Sequence, residues 1–362
     1  MKRKKIAIVV KNLGEGGAQR SAAMLSLILN KLGYEIIFLA LYAVKKFTYE
    51  GEYFALNKDN TSFKIINKYY QYLNFRRIIK RNNFHFIIDF RGRTNFFREF
   101  MICNFIYRNP RNIIFTVRES KISNYFPSPF FVFRSFYKKA FKIMVVSKDI
   151  ENKIREQYLL QNIVTINNGI DFKEIDNLKT KEISESSEFI LAVGRLVKLK
   201  QFKELIEIYS ESDLIYKGIK LLIIGEGILE DELKKAISSK ELNDLVKIIP
   251  FQKNPYKYMS KAKFLVLTSK REGFPNVLIE SMACGTPVIS FACETGPREI
   301  VSHQQNGLLV ENQNFEALKS AINRMVKDEK LYVWCKQKAR SSVEKFNIDN
   351  IASSWQKILG VN

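Results

Sequence analysis

The 362 residues are 46% hydrophobic and 27% charged, which is ordinary globular material and enough chain for two cores rather than one. No uninterrupted apolar run approaches the ~18–20 residues of a membrane span, and the apolar part of MKRKKIAIVV is too short for a signal-peptide core. The formal charge of +22 is lopsided: residues 1–182 hold 33 Lys+Arg against 15 Asp+Glu, while residues 183–362 hold 26 against 22. A basic first half implies either an anionic partner (a membrane surface, nucleic acid, a phosphorylated substrate) or a lysine-rich solvated surface. Cys103, Cys284, Cys293 and Cys335 show no CxxC spacing, which fits a reducing compartment. His85 and His303 are too far apart in sequence to suggest a zinc site.

Along the chain, KIAIVV reads as a buried strand and GGAQRSAAMLSLILNKLG as a helix closed by Gly33. EIIFLAL, FHFIIDF, RNIIFTV and KIMVVS continue the strand series, with helices around RRIIKRN and over KDIENKIREQYL. NIVTINNGID ends a strand at the Asn168-Gly169 turn. The charged, Ser-rich LKTKEISESSE, residues 178–188, reads as an interdomain linker. After it the strands FILAVGRL, IKLLIIGEG, VKIIPF, KFLVLTS and PVISF alternate with helices such as QFKELIEIYSE and ILEDELKKAISSK. The expected fold class is α/β, with two doubly wound Rossmann-like parallel-sheet domains facing across a cleft. The expected segments are 1–182, 183–345 and a last helix over 346–362 that leaves the second domain.

Several groups fall at expected strand ends, where such sheets bind ligands. Gly14, Gly16 and Gly17 follow the first strand, as a tight turn or as bare backbone against a ligand. Arg195 and Lys200 lie just beyond a strand, and two cations there would neutralise a diphosphate. In SKREGFPNVLIESMACGTPVIS, Glu272 follows a strand and Glu280 lies along the next helix. Between them the N–H groups of Asn276, Val277 and Leu278 open the helix and make an anion site. No Asp-x-Asp triplet is present to hold a divalent metal.

REGFPNVLIESMACGTPVIS resembles the signature of the retaining GT-B-fold glycosyltransferases of family 4. GEGGAQR resembles that family's amino-terminal Gly-Gly-Ala-Glu-Arg loop, with Gln19 in place of Glu. VVS, NNGID, VGRL, LLIIGEG, GPREIV, NGLLV and FNIDNIASSWQKIL resemble further landmarks in the family's order. The resemblance implies a glycosyltransferase whose first domain binds the acceptor and whose second binds a nucleotide-sugar, with the last helix crossing back to the first. It implies a donor diphosphate held by Arg195, Lys200 and the Asn276–Leu278 helix start, near Gly16 and Gly17. Glu280 would bond both ribose hydroxyls, Glu272 with the Gly273 and Phe274 backbone would contact the sugar, and Pro250, Phe251 and Gln252 would meet the base. Glu272, Arg195 and Lys200 are the implied catalytic groups. Arg, Lys and a helix dipole would replace a metal, so no cofactor is implied, and the leaving phosphate would take the acceptor's proton on the front face.

One departure from the family stands out. Many relatives carry a histidine after the strand that here reads IIFTVRES, whereas this chain has Arg118 and Glu119. These two, with Arg91 and Arg93 of DFRGRTN, are the expected contacts to sugar or an anionic acceptor. His85 precedes a different strand and reads as structural. The aromatic and basic stretch SNYFPSPFFVFRSFYKKAFK, residues 123–142, suits an anionic membrane face or, for Phe130, Phe131, Phe133 and Phe136, a core. NPYKYMSKAKF and the overall pattern are most similar to bacterial glycan-assembly enzymes that add N-acetylhexosamine-type sugars. That similarity implies a UDP-sugar, with hexose and hexuronic acid donors open, and a lipid-linked or polysaccharide acceptor. It also implies a protein peripheral to the inner face of the cytoplasmic membrane. A catalytically silent scaffold is the first alternative. A basic nucleic-acid binder is the second, and no recognised RNA or DNA motif supports it, so no nucleic acid partner is expected.

Overall fold

The structure, a computed structural model, describes residues 3–14, 16–57 and 65–360. Glu15 of the GEGGAQR loop and the last two residues of the expected final segment lie outside them. The chain forms two units, Met1–Gly169 with Ile348–Asn362, and Ile170–Asn347.

The first unit is built on seven strands: β1 (Lys5–Val10), β2 (Glu35–Tyr42), β3 (Glu52–Asn57), β4 (Phe86–Asp89), β5 (Ile113–Val117), β6 (Lys142–Val145) and β7 (Ile163–Thr165). Their order is β3-β2-β1-β4-β5-β6-β7, and all pair in parallel. Such sheets are covered on both faces, which is why KIAIVV and EIIFLALY are apolar without alternation and buried nearly throughout. The crossover helices are α1 (Gly17–Lys31), α2 (Ile65–Asn82), α3 (Phe96–Met101), α4 (Arg134–Lys139) and α5 (Lys148–Tyr158). β3, an edge strand, is absent from the sequence reading.

The second unit opens with α6 (Phe172–Lys179) and contains β8 (Phe189–Val193), β9 (Lys220–Ile224), β10 (Val246–Ile249), β11 (Leu265–Leu267), β12 (Val288–Phe291) and β13 (Gly307–Val310). These form a six-stranded sheet in the order β10-β9-β8-β11-β12-β13. Its other helices are α7 (Phe202–Ser210), α8 (Glu230–Ser239), α9 (Tyr256–Met259), α10 (Asn276–Ala283), α11 (Pro297–Ile300), α12 (Phe315–Lys327) and α13 (Glu329–Ser342). The core packs β8, β9 and β12 side chains such as Ile190, Leu221 and Phe291 against Leu205 of α7, Leu233 of α8 and Ile322 of α12.

Two expectations about the connection change. The units divide after Gly169, not at 182, because α6 is held by second-unit groups. Asp171 caps it, accepting from the Lys173 and Glu174 N–H groups at 2.9 and 3.1 Å, and Arg340 pairs with Asp176 at 2.7 Å. Asn254 and Ser260 donate to the Leu178 and Lys179 carbonyls, both at 2.9 Å. Within the expected linker, Glu185 takes Lys220 and Lys247, each at 3.0 Å, and the Ser187 N–H at 3.1 Å. Residues 178–188 are therefore fastened to β9 and β10 rather than spanning between domains. The last helix, α14 (Ile348–Leu359), buries Ile351, Trp355 and Leu359 in the first unit's core. It crosses back as the resemblance implies, starting at Ile348 rather than at 346.

Candidate functional site

In the second unit the strand order reverses between β8 and β11, with β9 and β10 on one side and β12 and β13 on the other. Loops leaving two such strands diverge, so their carboxyl ends frame a crevice. Arg195 and Lys200 lie on the loop after β8, and Glu272 on the loop after β11. Lys200 Nζ sits 2.6 Å from Glu272 Oε1, with both side chains mostly covered (18% and 15% exposed).

The backbones beneath this pair are fixed from both sides. The Thr268 hydroxyl donates to the Lys200 carbonyl at 2.6 Å, and the Thr295 hydroxyl donates to the Glu272 carbonyl. Gly296, at φ 92°, lies so close that a Cβ there would sit 2.7 Å from the Gly273 carbonyl oxygen. Gly225 approaches the other loop more closely still, since a Cβ there would meet the Gly194 oxygen at 1.9 Å. Arg195 differs from Lys200: it is exposed, and among the described residues no hydrogen bond or ion pair holds its guanidinium.

α10 begins beside Glu272. Pro275 is its N-cap rather than its first helical residue, and the Pro275 carbonyl accepts the Leu278 N–H at 3.1 Å. The expected trio of backbone donors therefore loses Leu278, while Asn276 and Val277 remain half-buried at the helix start. Glu280 lies in the same helix, 5% exposed. Gly273 is buried, and the Phe274 ring packs on Phe346 at a centroid distance of 5.3 Å, which leaves only Phe274 backbone for a ligand. Pro250, Phe251 and Gln252 follow the edge strand β10, where Gln252 Nε2 donates to the Pro250 carbonyl at 3.1 Å. Arg195, Lys200, Glu272 and the start of α10 thus gather at the strand reversal, whereas Pro250–Gln252 stand two strands away from β8.

The remaining expected residues belong to the first unit. Gly16, at φ 110°, and Gly17 open α1 after β1, and among the described residues no side chain caps that helix end. Arg91 and Arg93 do not face an acceptor; they are 2% and 0% exposed. Arg91 binds Asp89 at 2.7 Å and Glu99 at 3.2 Å. Arg93 donates to the carbonyls of Tyr125 and Thr116, both at 2.9 Å, and its guanidinium lies 4.8 Å from the Phe115 ring centre. Burial alone would raise the Asp89 pKa, yet Arg91 and Arg93 overcome it and hold the carboxyl below its ordinary value. Burial and the Asp89 charge push Tyr107 well up, so its hydroxyl stays protonated and donates to Asp89 at 2.9 Å. Both arginines are structural cations, and Glu99, eight residues after Arg91, was the sequence signal for it. Glu119 is exposed and accepts from Asn124 at 3.1 Å. Arg118 is buried, 9% exposed, and donates to the Asn168 side chain. His85 stacks edge-on with Phe86.

The aromatic stretch divides by face. Phe126, Phe133 and Tyr137 are core (3%, 1% and 0% exposed), Phe130 and Phe136 are half-buried, and Phe131 is 78% exposed. Phe97, Phe100 and Phe105, which the sequence reading passed over, are exposed as well, and Phe96 joins the two segments through Phe133 at 5.4 Å. Arg108, Arg134, Lys138 and Lys139 are exposed on the same segments.

Comparison with known proteins agrees with this geometry. Residues 15–174 match the family described as Glycosyltransferase Family 4, and residues 174–342 match Glycosyl transferases group 1. The chain is 29% identical, over 98% of its own length and 99% of the relative's, to the N-acetylgalactosamine-N,N'-diacetylbacillosaminyl-diphospho-undecaprenol 4-alpha-N-acetylgalactosaminyltransferase of Campylobacter jejuni. It is 30% identical to the capsular polysaccharide biosynthesis glycosyltransferase CapM of Staphylococcus aureus, over 71% of each chain. A crystallised S. aureus TarM variant, in complex with fondaparinux, alpha-GlcNAc-glycerol and UDP, superposes with a TM-score of 0.77 at 15% identity, covering 98% of this chain and 99% of that one.

Proposed function

This chain belongs to the GT-B-fold glycosyltransferases of family 4, and we propose that it moves a sugar from a UDP-sugar to a lipid-linked oligosaccharide or polysaccharide precursor. The observation that carries this reading is the convergence of Arg195, Lys200 and Glu272 at the β8/β11 strand reversal. The sugar is of N-acetylhexosamine type or a related hexose or hexuronic acid. Support comes from the name of the C. jejuni relative, an N-acetylgalactosaminyltransferase acting on a diphospho-undecaprenol, and from UDP in the TarM complex.

In this reading the donor diphosphate lies against Arg195, Lys200 and the start of α10, and no metal takes part. Lys200 exchanges Glu272 for a phosphate oxygen, which frees the Glu272 carboxylate to accept from sugar hydroxyls. Arg195 and Lys200 then stabilise the charge that grows on the leaving diphosphate. The configuration at the anomeric carbon is retained, with the leaving phosphate taking the acceptor's proton. Glu280 accepts from the ribose hydroxyls.

Calorimetry of UDP, GDP, ADP and CMP with EDTA present tests the donor site. UDP binds and the others bind more weakly, and Arg195→Ala lowers turnover by about 10²–10³-fold, the scale of one lost charge-stabilising donor. Absence of any nucleotide binding would favour the silent scaffold instead.

In this reading the protein acts at the inner face of the cytoplasmic membrane, which the lipid anchor proposed for the acceptor and the basic charge of the first unit support. Phe97 and Phe131, 79% and 78% exposed, with the cations beside them, support this. Flotation with phosphatidylglycerol vesicles should recover the wild-type chain and lose the Phe97→Ser/Phe131→Ser variant. Equal recovery of both would remove this face from the proposal.

A further inference from the structure

The first unit contains a buried cation with no carboxylate partner among the described residues. Arg118 follows β5 at the carboxyl edge of the sheet, 9% exposed, with its guanidinium 4.8 Å from the Phe90 ring centre. Its one hydrogen-bonded side-chain partner among the described residues is the neutral Asn168 amide. The adjacent acid, Glu119, turns to Asn124, and the Tyr125 phenol nearby stays neutral because burial raises its pKa. A desolvated guanidinium without a carboxylate is costly to keep, and desolvation draws its pKa down to about 10. Arg91 and Arg93, in the same unit, show how this chain treats a cation that serves the fold: every one of their neighbours is a carboxylate, a carbonyl or a ring face.

A second polar group in the same place lacks a partner. Arg118 lines a cavity of about 20 Å³ with Ser21, Phe90, Asn168, Ile351 and Trp355. The Ser21 hydroxyl oxygen is buried and makes no hydrogen bond. An under-bonded cation and an unsatisfied hydroxyl facing one cavity call for a ligand that is an anion with acceptor oxygens. About 20 Å³ has room for little more than a water or two. A planar carboxylate suits it better than a tetrahedral phosphate, and only that group would enter, the carbon skeleton that bears it staying outside. Asn168 and Gly169, both half-buried, line the same cavity.

We propose that this cavity is a carboxylate subsite on the acceptor side of the reaction, so that the acceptor is an acidic glycan such as one bearing a hexuronic acid. Arg118 supplies the charge, and Ser21 and Asn168 supply the flanking hydrogen bonds. The proposal rests on the glycosyltransferase reading, because it names the substrate class for the unit that does not carry the donor residues.

Thermal-shift and calorimetric titration of the full chain with D-glucuronate, glucose and inorganic phosphate, on wild type and Arg118→Met, tests it. Glucuronate raises the wild-type Tm at millimolar concentration and binds at least about tenfold more tightly than glucose, which lacks the charge (a hydrogen-bonded charge contributes about 1.5–3 kcal/mol). Arg118→Met abolishes that response, while its ligand-free Tm equals or exceeds wild type, because an unpaired buried charge has been removed. Ser21→Ala weakens glucuronate binding by a few-fold. Equal responses to glucose and glucuronate would overturn the proposal, as would a glucuronate response that survives Arg118→Met. A response to phosphate and not to glucuronate would overturn the carboxylate assignment. A lowered ligand-free Tm in Arg118→Met, with no glucuronate response in wild type, would make Arg118 a structural residue for the Asn168 turn. UDP binding in the same samples reports on the donor reading separately: UDP bound without glucuronate would sink this subsite and leave that reading standing.

Discussion

After β4 the loop turns Arg91 and Arg93 inward, against Asp89, Glu99 and a set of carbonyls, while after β8 the loop leaves Arg195 exposed and the Lys200 ammonium paired with Glu272. Both loops leave parallel strands at their carboxyl ends, and both looked equally suited to an anion from sequence. The difference lies in what each cation meets at home. Where acids and carbonyls of the same unit satisfy the guanidinium, it is part of the fold; where they do not, the chemistry is left for a ligand. Arg118 sits between the two cases, nearly as buried as Arg91 yet with no acid paired with it among the described residues.

The largest effect that would break this contrast comes from Asp89→Ala. It leaves the Arg91 charge buried with one carboxylate fewer, and a loss of about 3–5 kcal/mol is expected. Calorimetry should read it as a Tm lower by about 6–20 °C. A Tm near wild type would mean the cluster is not structural and would reopen Arg91 as a ligand contact. Next in size is Arg195→Ala, whose transfer defect of about 10²–10³-fold should come with an unchanged Tm. A matching fall in Tm would place Arg195 with Arg91 as a structural cation.

The smallest effect concerns Glu185. Burial alone would raise its pKa, but Lys220, Lys247 and the Ser187 N–H bring it down to about 2. A carboxyl depressed in the folded state contributes stability above its unfolded pKa and loses it as pH falls from about 5 towards 2. Glu185→Gln should therefore lower the Tm at pH 7 by about 2–4 °C, for about 1 kcal/mol, and the gap to wild type should narrow on acidification. A gap independent of pH would show that packing rather than charge fastens residues 178–188.

The sequence makes most of the architecture plain, because buried parallel strands such as KIAIVV and FILAV announce themselves as apolar runs that lead into glycine-bearing loops. β3 escapes because EYFALN at the sheet edge is shorter on aliphatic residues and only partly covered. The residues proposed to hold the donor are legible because Arg195, Lys200, Glu272 and Glu280 keep a recognisable spacing within one unit. What spacing cannot disclose is which way a side chain turns and what waits for it. Arg93 meets the Tyr125 and Thr116 carbonyls, 32 and 23 residues away, and Glu185 meets Lys220 and Lys247, 35 and 62 residues away. The partner that Arg118 lacks is likewise a fact of three dimensions.

α14 gives the first unit an unusual place in the order of synthesis. Its core counts Ile348, Ile351, Trp355 and Leu359 among its members, yet these are made only after the whole Ile170–Asn347 unit. Domains made first usually close first. Here the first unit waits for α14, and the continuous Ile170–Asn347 unit is free to finish ahead of it. Because Ile351 and Trp355 also wall the Arg118 cavity, a nascent or truncated chain lacking these last turns would have a complete donor-side sheet and no closed cavity beside Arg118.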